Sequence, residues 1–215
     1  IMVTRSADAA ILSDATSLAA SWEGFGDQTV RHAALSYEVC VGTTPYGCQL
    51  HAFAAVGTST AWNATGLALP CGSTIFVAVR ASNCAGLHRT VASSGAKLCC
   101  EAPVGGAVTL VDAVGASIAA VGDTFAGRIA WAGFVESCSG ISEYAVTLVA
   151  PLQAAQPIWQ KNATTQLHAA MPAGIVAALA HAAEYVITVT ATSVAGHASN
   201  AATTFVVDRT PPTVG

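Results

Sequence analysis

Short apolar runs recur along the chain, separated every 8–12 residues by glycine- and proline-containing stretches, the spacing of an all-β sandwich. Leu35-Ser36-Tyr37-Glu38-Val39-Cys40-Val41 alternates large apolar with polar or small residues, so a strand with one buried face is predicted there. Thr43-Thr44-Pro45-Tyr46-Gly47 then reads as a turn. Ile75–Ala81 and Tyr185–Ala191 are rich in β-branched and aromatic residues and read as two copies of one buried strand. One stretch points elsewhere. Ala173–Ala183 has the composition of a helix. Its counterpart Trp62–Pro70 is interrupted by Gly66 and Pro70, and by analogy with it strand plus loop is expected, with a helical turn allowed near Ala180.

That analogy rests on an internal repeat. Trp22, Phe25 and Asp27 recur as Trp131, Phe134 and Glu136, each 109 positions on, and Asp14 recurs as Asp123. Ala81 and Gly86 recur as Ala191 and Gly196, 110 positions on. Glu101-Ala102-Pro103-Val104 is echoed by Asp208-Arg209-Thr210-Pro211-Pro212. A repeat of domain length means tandem domains, not a solenoid of 20–50-residue units. The expected division is 1–101, 102–209, and 210–215 as the start of a following repeat or linker. Ile1 falls where the first strand should already be running, so a segment clipped from a longer protein is expected.

Both repeats resemble fibronectin type III domains. That family has a tryptophan in strand B, a tyrosine in strand C, a leucine in strand E and a tyrosine or similar residue opening strand F. Repeat one offers Trp22, Tyr37, Leu67 and Ile75 or Phe76; repeat two offers Trp131, Tyr144, Leu179 and Tyr185. Tyr185 to Gly196 is close to the family's strand F and F–G turn, and Asn83-Cys84-Ala85-Gly86-Leu87 repeats that turn. The resemblance covers nearly the whole chain and implies an all-β fold of two tandem immunoglobulin-like sandwiches. Repeat one lacks the strand F tyrosine. The aromatics are expected to fill the roughly 10 Å gap between facing sheets, with polar partners for their N–H and O–H groups. Burial would leave Trp22 and Trp131 no sugar-stacking role.

On that fold the cysteines can be placed. Cys40 and Cys48 flank the Pro45 turn, where facing hairpin positions come within disulfide reach. Cys71 begins strand F, Cys99 and Cys100 end strand G, and Cys138 lies in the B–C loop of repeat two. Cys71 and Cys138 are therefore expected to share Cys99 and Cys100 between them, stapling the two domains. Cys84 is left over, either for a partner in a preceding domain or as a half-buried free thiol.

Composition narrows the function. Charged residues make up 9% of the chain, against roughly 25% in an ordinary soluble domain. The net charge of −4 leaves no basic footprint for nucleic acid, and no polybasic cluster recommends an anionic membrane. The apolar stretch 173–180 is too short to span a bilayer. Seven cysteines and two Asn-x-Thr sequons, at Asn63 and Asn162, point to an oxidising, extracellular or cell-surface setting. Alternation places Asn63 on the outward face of strand E, and Asn162 falls near the end of strand C′.

Catalytic signatures are not found. The histidines, His32, His51, His88, His168, His181 and His197, show no zinc-binding spacing; Cys84 with His88 and Cys48 with His51 come nearest. No Gly-x-Ser-x-Gly elbow or phosphate loop is present, and no Arg-Gly-Asp triplet. Calcium at Glu101, Asp112, Glu136 and Asp208 is the more serious alternative, though these acids are widely spaced. No cofactor is expected. The resemblance implies a non-enzymatic structural or adhesive module, packed into a fibre, surface coat or filament. Its expected partners are other domains of the same chain, further copies or another surface glycoprotein. A receptor or adhesin ectodomain with an aromatic patch around Trp159 and Tyr46, or accessory domains of a carbohydrate-active enzyme, are the alternatives.

Overall fold

A computed structural model of the chain describes residues 2–3, 11–27, 34–150 and 156–212, with the side chains of 2, 3, 163 and 164 left out. Ile1 and His32 lie outside the described residues. The chain divides into two compact units, Ile1–Cys100 and Glu101–Gly215.

The described residues of the first unit form nine strands: β1 (Met2–Val3), β2 (Ile11–Leu12), β3 (Ser17–Ser21), β4 (Ser36–Gly42), β5 (His51–Gly57), β6 (Ala61–Thr65), β7 (Thr74–Ser82), β8 (His88–Ala92) and β9 (Ala96–Leu98). One sheet runs β1-β3-β6; the other runs β2-β9-β7-β4-β5, with β8 also pairing to β7. The alternation in β4 and β7 turns Val39, Val41, Val77 and Val79 inward, where they are fully buried. They meet Leu18, Ala20 and Trp22 from the opposite sheet in one core.

The second unit contains β10 (Val104–Val111), β11 (Ser117–Ile118), β12 (Ala120–Val121), β13 (Arg128–Val135), β14 (Ile141–Val149), β15 (Trp159–Thr164), β16 (His168–Ala170), the helix α1 (Ala173–Ala178), β17 (Glu184–Ser193) and β18 (Ala198–Val207). Its sheets run β11-β10-β13-β16 and β12-β18-β17-β14-β15. Val146, Leu148, Ile187 and Val189 are its buried stripe, facing Ile129 and Trp131. Each unit is thus a sandwich of two facing sheets around its own tryptophan.

Helix α1 corrects the expectation of strand plus loop. Register shows why the repeat misled. Ala20 pairs with Trp62 in the first unit and Ile129 with Ala169 in the second, an offset of 107 between Trp62 and Ala169. The buried Leu69 and Leu179 lie 110 apart. The second unit therefore has three more residues here (110 − 107 = 3), and they wind into a turn. The Pro172 carbonyl accepts the first helical N–H groups, from Ile175 and Val176, and Val176 is the side chain the helix buries.

Leu67 is corrected as well, since the offset of 110 that matches Ala81 to Ala191 matches Leu69, not Leu67, to Leu179. It is only partly buried, and the core position expected of it is filled by Leu69. Phe76 is also only partly buried, while its neighbour Ile75 is fully buried in the core.

Candidate functional site

The repeated aromatics form one motif built twice. Trp22 lies edge-on to Tyr37 with ring centres 5.6 Å apart, and Phe25 lies 5.7 Å from the same tyrosine. Trp131, Phe134 and Tyr144 repeat this at 5.6 and 5.8 Å. All but the partly buried Phe25 are buried. The expected polar partner of the indoles is not found: neither tryptophan N–H meets an acceptor among the described residues. The strand F phenol does find one, since the Ala180 N–H donates to Tyr185 Oη at 2.8 Å. In the first unit Ile75 takes that place with no polar group to satisfy.

The repeated acids close loops. In the second unit the Glu136 carboxylate accepts the N–H groups of Cys138, Ser139 and Gly140 and the Ser139 hydroxyl. Burial pushes this carboxyl up, but the four donors outweigh it and hold it below its usual value. In the first unit Asn83 Nδ2 donates to Asp27 at 3.0 Å, joining the B–C loop to the F–G turn. The F–G turns match in turn. The Asn83 N–H donates to the Leu87 carbonyl and the Ser193 N–H to that of His197. Gly86 and Gly196 take φ of +77° and +87°, a left-handed conformation glycine adopts without strain. Of the other acids proposed for calcium, Asp112 accepts the N–H groups of Val114 and Ala116. Asp208 accepts the hydroxyl and N–H of Thr210, which lower its pKa. No cluster of three metal-ligating side chains occurs among the described residues.

Below each core the strand ends are fastened differently. Cys40 and Cys48 are joined across the β4–β5 turn, with Cα atoms 5.1 Å apart. Cys71 is joined to Cys100, with Cα atoms 5.7 Å apart. Cys99 and Cys138 are disulfide-bonded cysteines as well, while Cys84 is a free, exposed thiol. Equivalent backbone bonds fix the correspondence. The Cys99 N–H donates to Leu12 and the Asp208 N–H to Val121, each pair 109 apart. Arg209 therefore stands where Cys100 does, and His181 lies 110 beyond Cys71. The Arg209 N–H donates to His181 Nδ1 at 3.2 Å. The Arg209 guanidinium pairs with Asp123 and donates to the carbonyls of Val176 and Ala177 at the end of α1. An arginine network thus takes the place of the covalent bond. Sequence reasoning missed this role of Arg209: Asp123 recurs from Asp14, which in the first unit accepts from Thr16 and Ser17 instead.

Asn63 is exposed on β6, and Asn162 is exposed on β15. Tyr46 is exposed, whereas Trp159 packs against the core of the second unit. A cavity of about 660 Å³ opens at the B–C and F–G loops of the first unit. Its described lining carries both signs of charge, Glu23 and Asp27 with Arg89.

No family model matches the chain, and no curated protein matches it. Among solved structures it is similar to a Ca2+-stabilized adhesin with which an Antarctic bacterium binds ice, at 15% identity and a TM-score of 0.52, covering 93% of this chain and 46% of that one. It is similar to the fibronectin(III)-like modules of Clostridium thermocellum CbhA, at 13% identity and a TM-score of 0.49, covering 97% of this chain and 94% of that one. The chicken CNTN1 FN1–FN3 domains match at 16% identity and 0.44, covering 93% of this chain. The chain spans 65% of that last structure's length. With the strand order and the Trp–Tyr cores, the fold is that of tandem fibronectin type III-like sandwiches.

Proposed function

We propose that this chain is a non-enzymatic structural and adhesive segment of a multidomain extracellular protein, acting in the assembly of a fibre, surface coat or filament. One observation carries the reading. The residues that recur from unit to unit, the Trp–Tyr–Phe cluster, the loop-closing acids and the turn glycines, all build the sandwich: the rings pack its cores, and the acids accept from loop N–H groups and loop side chains of their own unit. Repetition of scaffold suits a part whose role lies in the string.

The disulfides support an oxidising, extracellular or cell-surface setting. No helix among the described residues is long and apolar enough to cross a membrane. With Cys71 joined to Cys100, the sharing expected of these four cysteines leaves Cys99 to pair with Cys138. Non-reducing peptide mapping tests that link. A Cys99–Cys138 peptide is expected; either cysteine recovered as a free thiol overturns it.

Cross-linking mass spectrometry on the intact native surface material tests the function. Cross-links between copies of the chain, or to other structural glycoproteins, are the expected outcome. Links confined to one soluble ligand would favour the receptor reading and overturn assembly.

A further inference from the structure

Sheet edges are where these units are most open to unwanted pairing, because an edge strand presents a row of unpaired N–H and C=O groups. Several edge strands, β1, β2, β11, β12 and β16, run for two or three of the described residues. The longer ones differ in protection. β8 carries His88 and Arg89 at its exposed start. β5 breaks register twice against β4, and β15 breaks register against β14 and carries Lys161. β6 has none of these. It is Ala-Trp-Asn-Ala-Thr, without charge, and pairs with β3 in unbroken register from Ser17↔Thr65 to Ser21↔Ala61. Among the described residues no strand lies on its other side.

β6 does carry a sequon. Alternation turns Trp62 and Ala64 partly inward and leaves Asn63 and Thr65 exposed on one face. The second sequon has the same setting. Asn162 is exposed on β15, the last strand of its sheet. There Gln160 Nε2 donates to Asn162 Oδ1 at 2.5 Å, which engages the carbonyl end of the amide and not its nitrogen.

We propose that Asn63 and Asn162 each carry an N-linked glycan and that the glycan on Asn63 closes the β6 edge against strand addition. The inference rests on the extracellular reading, since the modification belongs to the secretory route. In the transfer, the donor is an oligosaccharide on a polyisoprenyl diphosphate. A bond forms between the asparagine Nδ2 and the sugar C1, the bond from C1 to the diphosphate oxygen breaks, the lipid diphosphate leaves, and one amide proton is lost to a base. Nothing is oxidised or reduced. A bulky hydrated chain standing on the outer face of an edge strand excludes a second strand from that edge while leaving the core untouched.

The test is secretion of the chain from cells that N-glycosylate, read by intact mass and site mapping. Two glycan-sized mass increments are expected, one lost in Asn63→Gln and the other in Asn162→Gln. Unmodified Asn63 in the secreted protein overturns the proposal, whatever cross-linking shows about assembly. Sedimentation velocity reads the edge. Removal of the Asn63 glycan is expected to add dimers and larger species at concentrations where wild type shows none. Thr65→Ala removes the same sequon without touching the asparagine, so agreement between the two variants separates glycan loss from a folding defect. If both variants fold, lose the increment and sediment like wild type, the edge role is wrong.

Discussion

Trp22 and Trp131 bury their indoles against a tyrosine ring, but neither N–H meets an acceptor among the described residues. Their contribution is therefore packing. Trp131→Ala is expected to destabilise the second unit by about 3–5 kcal/mol, while Trp131→Phe, which loses volume but no hydrogen bond, should cost clearly less in a urea titration. Leu69 and Leu67 give a sharper contrast two positions apart. Leu69→Ala should cost about 2–5 kcal/mol and Leu67→Ala less, because only Leu69 is fully inside. Glu136 makes a prediction in pH. Its carboxyl is held below the usual value of 4.5 in the folded state. The stability it supplies is therefore complete above the unfolded pKa and is lost as pH falls from about 4.5 through the lower folded value. Thermal melts from pH 7 to 3 should show Glu136→Gln with a flatter acid limb than wild type; an unchanged slope would mean the carboxylate does not close that loop.

At the scale of elements, the strands were legible because period-two alternation and β-branched content are local signals. β4 and β17 lie where Leu35–Val41 and Tyr185–Ala191 predicted them. Helix α1 was not, although its composition announced it. The deciding information was a length difference of three residues that only the register of β6 against β3, and of β16 against β13, reveals. Leu67 was misplaced because it was matched to Leu179 across 112 positions, where Leu69 stands at the repeat's offset of 110. The loop-closing use of Asp27 and Glu136 was also hidden, since a recurring acid looks the same whether it binds a cation or a row of N–H groups. The fastening of strand ends shows two solutions to one problem. Cys71–Cys100 closes a separation of 29 residues, so replacing both by serine should cost the first unit about 3–4 kcal/mol on the loop-entropy model. Arg209 fastens the second unit by charge. Arg209→Ala should cost about 1–2 kcal/mol and speed hydrogen exchange around α1. Unchanged exchange there would show that the guanidinium contacts contribute nothing to the helix.

At the scale of the whole molecule, two sandwiches share a plan but not their fastenings, and the shared part is scaffold. That shared scaffold supports the proposal of a role in assembly, with loops and edges free to vary. The direct test is electron microscopy of the native material that contains this chain, with the chain located by a bound antibody fragment. The account predicts label at regular intervals along a filament or across an ordered coat. Label found only on dispersed particles, or on particles built around a catalytic domain, would contradict it.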